Sequence, residues 1–269
     1  FVAWNWKAGG APTADNSAGA GATPTAGSVK IDGSNLGSAL AGSIAATKLS
    51  ANTTSGFSIV EWTGTGSTGT VAHGLSSAPE LIIVKNYDTA TQNWAVGATP
   101  AYSGWTGRAG ELNDQGGKSA SSAYWNDTPP TSSVFTVSTE DNVNKSTSSL
   151  IAYCFHGVEG YSKFGTYVGN GSATDNSFIY TGFRPAYIMG KWLDGSNDWW
   201  IQDNRRKGYN LTDWRLKANA NTAEENEYGV DLLSNGIKIY SASGGIGQDT
   251  RTYMFLAFAA SPFKTSNAR

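Results

Sequence analysis

The chain has 269 residues, with 19 Lys+Arg against 21 Asp+Glu, two His, one Cys and a formal net charge of −2. Charged residues make up 15%, against about 25% in ordinary soluble domains, and the 33 Gly, 10 Trp, 12 Tyr and 10 Phe mark a glycine- and aromatic-rich chain. The near-neutral balance offers no basic footprint for nucleic acid. No apolar run nears the ~18 residues of a membrane span, and Cys154 alone makes neither an internal disulfide nor a zinc site.

The chain opens at Phe1 without a signal-like charged and apolar head, as a fragment of something longer would. Phe1-Val2-Ala3-Trp4-Asn5-Trp6 reads like Leu150–Phe155 further on, so residues 1–10 are expected to be the last strand of a preceding repeat. Phe1, Val2, Trp4 and Trp6 are the candidate residues of an assembly strand that adds to a sheet edge. Residues 11–56 are dominated by Ala, Gly, Ser and Thr and are expected to form an extended linker. Within it, Leu36, Leu40 and Ile44 stand at helical steps and leave room for a short helix.

From Phe57 onward, runs rich in Val, Ile, Thr, Tyr, Phe and Trp alternate with Gly, Asn, Asp, Ser and Pro clusters, the pattern of strands and turns. Strands are expected at 57–63, 81–87, 93–97, 133–138, 149–156, 162–168, 177–181, 186–193, 198–202, 236–241 and 251–259. These runs repeat. Phe57–Gly66 matches Tyr161–Gly171, and Ala78–Lys85 matches Arg184–Lys191 with Pro79 and Pro185, and Lys85 and Lys191, each 106 positions apart. Asp88 and Trp94 meet Asp194 and Trp200 at that offset, Ser132–Val137 matches Ser234–Ile239, and Leu150–Phe155 matches Tyr253–Phe258. Five blocks in one order define a duplication. The expected fold is all-β: two tandem antiparallel β-sandwich-like repeats, 57–160 and 161–269, preceded by the linker and the N-terminal strand.

Reactive chemistry finds little support. Nucleophilic hydrolysis needs a base held by a third group, but His73 and His156 have Thr181 and Ala259 at their repeat positions, and no G-x-S-x-G elbow occurs. Glu61, Glu80, Asp194, Asp198 and Asp203 lie near aromatic strands, yet no acid pair can be set across a cleft from sequence. Asp194–Asp198 departs from a calcium loop, with Trp199 where the turn Gly belongs and Arg205 where the bidentate Glu belongs, and reads as a hairpin turn. Gly64/Gly66 and Gly169/Gly171 lack the third Gly, the following helix and the Lys of a phosphate loop. No catalytic residue, metal or cofactor is expected. The aromatics remain: Trp199 and Trp200 point to opposite faces of a strand, while Trp105, Trp125 and Trp214 fall in loop-like stretches. Trp105, Trp125, Trp199 and Trp214 are therefore the candidate glycan- or partner-binding residues, the alternative being that they close the ends of the sandwiches.

Six blocks carry a resemblance: Phe57–Gly66; Trp125–Thr128 through Val134–Val137; Ala152–Phe155; Glu159–Gly165; Tyr180–Ala186; and Ser261–Lys264 through Ala268-Arg269. Together they resemble the C-terminal region of large virion proteins of tailed bacteriophages, especially of marine and aquatic bacteria. The resemblance covers nearly all of Phe57–Arg269 and the opening strand, and is weakest over 11–56. It implies a virion structural protein outside the capsid interior: a tail fibre, spike or surface appendage involved in assembly and host attachment. The implied partners are further copies of the chain, with a trimer favoured, other virion proteins and a host surface glycan. Nucleic acid and membrane insertion are not implied, and no catalytic residue carries over. A carbohydrate-binding adhesin module or a capsid decoration protein is the alternative; a glycan-degrading enzyme is disfavoured.

Overall fold

Period-two alternation decides the first sheet. In Phe57–Thr63, Val60 and Trp62 are buried while Ile59 and Glu61 are half-buried, and in Ser149–Phe155, Leu150 and Ala152 are buried between half-exposed neighbours. Alternate side chains point to opposite faces, so pairing is fixed wherever one face must be covered. The computed structural model describes residues 2–208 and 210–262.

Within these, the chain forms two compact units. The first comprises Asn5–Glu111 and Ser119–His156; the second comprises residues 157–262 together with Leu112–Lys118 and residues 2–4. In the first run β1 (Val29–Ile31), β2 (Ser34–Asn35), β3 (Ala46–Asn52), β4 (Phe57–Thr63), β5 (Gly69–Ala72), β6 (Leu81–Asn86), β7 (Ala95–Ala98), β8 (Gly107–Arg108), β9 (Gly110–Glu111), β10 (Ser119–Ala120), the one-turn α1 (Ser122–Trp125), β11 (Val134–Val137), the one-turn α2 (Asp141–Asn144) and β12 (Ser149–Phe155). The second carries β13 (Ser162–Val168), β14 (Phe178–Tyr180), β15 (Pro185–Trp192), β16 (Trp200–Asp203), β17 (Thr212–Lys217), β18 (Glu225–Leu233), β19 (Gly236–Tyr240) and β20 (Thr252–Ala259).

The first sheet runs β2-β1-β3-β4-β12-β6-β7-β9, the second β13-β20-β15-β16-β17-β18-β19-β14. The order β4-β12-β6-β7 recurs as β13-β20-β15-β16, and the pair β5-β11 recurs as β14-β19. These are the strands whose sequences match, so the duplication is a duplication of topology. The fold is all-β, with two sandwich-like repeats, and nearly every pairing is antiparallel; β1 on β3 is parallel. No helix of the described residues is long and apolar enough to cross a membrane.

In the first unit Val60, Ala152 and Val84 lie in register across three strands. They share one core with Val71, Phe135 and Val137 from β5 and β11, and with Trp105, Tyr124, Trp125 and Val143 from the connecting segments. Trp62 meets Phe135 across that core, centroids 5.7 Å apart and nearly edge-on, a geometry that aromatic quadrupoles favour. Each such fully buried side chain contributes about 1.5–3 kcal/mol of apolar transfer.

In the second unit β17 and β18 join the β14-β19 pair to the main sheet. Its two edges then meet through side chains: Lys163 Nζ donates to the Tyr180 carbonyl at 2.9 Å and Ser177 Oγ to that of Val168. Edges engaged in this way are poor templates for stray pairing. Almost all of β20 is buried. Tyr253, Phe255 and Ala257 enter the core with Trp200 and Ile237, while on the opposite face Phe258 packs against Phe164, Tyr161 and Tyr187.

Three expectations are corrected. Residues 11–56 are not a free linker, for β3 pairs with β4 from Ala46 to Asn52 and Val29, Ala46, Leu49 and Ala51 enter the first core. Small residues serve close approach there: a Cβ on Gly9 would sit 2.0 Å from the Ala51 carbonyl oxygen. Leu36, Leu40 and Ile44 form no helix. Gly42 takes φ +101°, and the Ser43 and Ile44 N–H groups donate to the Thr70 carbonyl instead of to a helical turn. Finally, Val2, Trp4 and Trp6 alternate half-buried with exposed neighbours but belong to no strand. β12 already has β4 and β6 on its two sides, and Trp6 meets Phe155 ring to ring, at 6.2 Å. Trp4 likewise sits edge-on to Tyr187, at 5.0 Å. Phe1 lies outside the described residues.

Candidate functional site

Polar groups gather at several places, among them a cleft and a buried lysine. The first is a shallow cleft of about 350 Å³ in the first unit, floored by Leu49 and Ile59 on β3 and β4 and walled by Ala8, Gly10 and Pro12. Ser50 Oγ donates to the Gly10 carbonyl at 2.6 Å, tying the wall to the floor. Lys48 at the rim pairs with Asp15 at 3.0 Å and Glu61 at 3.6 Å. The hydrogen bond to Asp15, with the nearby Glu61 charge, raises the lysine above its ordinary value. The cleft therefore offers an apolar floor beside a lysine shared by two carboxylates, a cluster of net charge −1.

The second is the β15–β16 hairpin. Lys191 is fully buried, and its Nζ donates to the carbonyls of Gln115 and Asn197, each at 2.6 Å. Burial pushes the ammonium down to about 8, against the pull of the Asp114 and Asp198 charges. Burial alone would raise Asp198, but hydrogen bonds from Asn219, Gln115 and Lys217 hold its carboxyl below the usual range. Lys217 bridges Asp198 at 3.1 Å and Glu225 at 2.8 Å. Arg215 continues the line, pairing with Glu225 at 2.6 Å and with Glu227, its guanidinium 4.1 Å from the Tyr228 ring centre. Cross-strand pairs of opposite charge hold β17 to β18 in register.

The tryptophans fall differently from the sequence reading. Trp105, Trp125 and Trp199 are buried at 1%, 0% and 0% exposure, and only Trp214 among the four stands out, at 39%. A sugar or partner cannot stack on a ring without surface, so the first three are corrected to core residues. Trp105 and Trp125 meet nearly perpendicular at 5.4 Å, with the Trp105 indole N–H on Thr99 Oγ1 at 3.1 Å. Both face Gly97, where a Cβ would come within 2.8 Å of either ring. Exposed aromatics that the sequence reading passed over are Tyr87, Phe178 and Tyr180. Phe178 and Tyr180 flank buried Ile179 on β14, and that alternation was the available signal.

His73 is fully buried, its Nδ1 accepting from Leu75 N–H and its Nε2 bonded to the Thr131 carbonyl, both at 3.1 Å. Both nitrogens are thus occupied by backbone. The candidate acids are likewise tied: Asp194 to Lys118 at 3.2 Å, and buried Asp203 to Arg206 at 2.5 Å and to the Arg205 and Arg206 N–H groups. Glu80 sits before β6, its N–H on the Phe155 carbonyl. Among the described residues no three His, Cys, Asp or Glu side chains gather as metal ligands.

No curated protein and no solved structure matches the chain. One family does, by a model that spans residues 1–262. The chain belongs to the DUF7483 family, a domain of unknown function.

Proposed function

We propose that the chain is a non-enzymatic phage virion component, a tail fibre, spike or surface appendage that assembles with further copies of itself and with other virion proteins. The observation that carries this reading is the recurrence of one strand order in two repeats, with Trp62, Trp105, Trp125, Trp199 and Trp200 buried within them. Such a chain is a scaffold by construction, and the resemblance to tailed-phage virion proteins supplies the particle. Mass spectrometry of gradient-purified particles should find the chain in multiple copies, and gold-labelled antibody should reach it on intact particles. Its absence from particles, or labelling only after they are opened, would overturn the reading.

Trp214, Phe178 and Tyr180, exposed on the second unit, favour a second role on the same scaffold, attachment to a host surface glycan. Aromatic faces bind sugars through apolar stacking. A glycan array should show binding that Trp214→Ala weakens about tenfold, the scale of one lost aromatic contact; an array blank for the intact chain would remove this role and leave the scaffold.

A further inference from the structure

The two repeats carry the same hairpin in two conditions. In the second unit the β15–β16 hairpin holds the segment Leu112–Lys118 as a clasp. The Gln115 carbonyl accepts from Lys191 Nζ at 2.6 Å and from the Asn197 N–H at 2.9 Å, and the Lys118 N–H donates to the Leu193 carbonyl at 2.7 Å. Gln115 Nε2 reaches Asp198 at 2.6 Å. Gly117 passes so close that a Cβ there would lie 2.4 Å from the Leu193 oxygen. Beneath the clasp, Leu193 is 1% exposed and Lys191 fully buried.

In the first unit the β6–β7 hairpin is built alike but is one residue longer between its last paired positions, with Lys85, Tyr87 and Asp88 at the positions of Lys191, Leu193 and Asp194 and Gln92 at that of Asn197. Lys85 Nζ donates to the carbonyl of Gln92 in its own hairpin, as Lys191 does to Asn197. The cover is what differs. Tyr87 is 51% exposed where Leu193 is buried, Lys85 is half-buried, and Asp88, Ala90 and Thr91 are exposed.

The clasp has a counterpart too. It follows β9, the strand paired to β7; β17 pairs with β16 in the same way and leads to residues 218–224, of which 220–224 are exposed. That loop reads Ala-Asn-Ala-Asn-Thr-Ala-Glu, small residues that let backbone carbonyls approach a lysine as Gly116-Gly117 do in the clasp. Asn219 is held by the Trp199 N–H and Asp198 and Glu224 by Arg206, so one chain presents an uncovered hairpin on its first unit and an exposed loop tip, residues 220–223, on its second.

We propose that these two surfaces are partners between chains: the loop tip 220–223 of a second copy seats on the Tyr87–Gln92 hairpin, and one of its carbonyls joins Gln92 in binding the Lys85 ammonium. The contact is heterologous, so it closes into a ring or runs on as a filament. It rests on the self-associating part of the reading above and gives that association its surface.

The only cysteine, Cys154, is buried, so engineered thiols report cleanly. Full-length Thr91→Cys and Asn221→Cys proteins, mixed under mild oxidation, should form a disulfide-linked dimer about tenfold faster than Thr91→Cys mixed with Ser17→Cys, because docking raises the effective thiol concentration. Lys85→Met with Tyr87→Ser, added to the Thr91→Cys chain, should return the rate to that of the control, and circular dichroism checks that the fold is kept. A rate no faster than control overturns the contact, whether sedimentation shows a monomer or an assembly through another face. The particle experiment fails or succeeds independently of this result.

Discussion

Trp125→Ala is expected to destabilise the first unit by about 3–5 kcal/mol, the usual cost of deleting a fully buried indole. Trp125 has no exposed surface. It ends α1, lies edge-on to Trp105 and packs over a glycine whose missing side chain makes the space. Nothing small can refill that volume, because protein interiors are close-packed and relax only in part. Trp214→Ala, on a ring that is 39% exposed, should change stability by no more than about 0.5 kcal/mol, as surface substitutions do. Urea unfolding of the two variants, followed by near-ultraviolet circular dichroism, separates them. If Trp125→Ala kept its unfolding midpoint, the ring would not be core and the surface role would return.

That contrast locates what the sequence made legible. The duplication could be read because matched strands also occupy matched places in the two sheets. Lys85 and Lys191 each directly follow the last residue paired across their hairpin. The matched Trp94 and Trp200 part company, Gly190 pairing with Trp200 but Val84 with Ala95, so that Trp94 stands one residue earlier and stacks on Tyr153. Strand limits such as Phe57–Thr63 and Ser162–Val168 followed from period-two burial. The segment before Phe57 was obscure because composition argues from the core a chain can build alone, and β3 instead borrows the edge of β4. A local signal was there: Asp32-Gly33, both with positive φ, turns β1 back onto β2 in the manner of a tight hairpin. β18 escaped because Glu225 and Glu227 break its apolar alternation; its backbone pairs with β17 and β19, and both acids are met by Arg215 on the neighbouring strand. Trp105 and Trp125 were misplaced because a loop-like sequence was equated with surface, whereas here the connections between strands form much of the layer that covers the sheet.

Acid should loosen the first unit through His73, between the ordinary histidine value and about 4. The ring is buried without exposed surface, Nε2–H donates to Thr131 and Nδ1 accepts from Leu75. A second proton would have to sit on Nδ1, turning the acceptor of the Leu75 N–H into a second donor and burying a charge. Burial accordingly pushes the imidazole down to about 4, with the Thr131 bond opposing and a small repulsion from His156 assisting. In the unfolded chain a histidine titrates near 6.5. Above pH ~6.5 both states are neutral and this group leaves stability unchanged. Between ~6.5 and ~4 the unfolded chain binds a proton that the folded chain refuses, so stability falls with pH, by about 3 kcal/mol in all, and levels off for this group below the folded value. Asp88, whose carboxyl is lowered chiefly by hydrogen bonds from Ser149, contributes its own loss further down, as pH falls below the ordinary carboxylate value. His73→Gln removes the titration while keeping an amide that can accept and donate. Whatever that substitution costs at pH 7, the difference between wild type and variant should shrink by about 3 kcal/mol on going to pH 4, measured by urea unfolding at each pH. An NMR titration supplies the direct reading: a His73 ring that titrates near 6.5 would be solvated, and the packing of β5 against β11 around it would have to be redrawn.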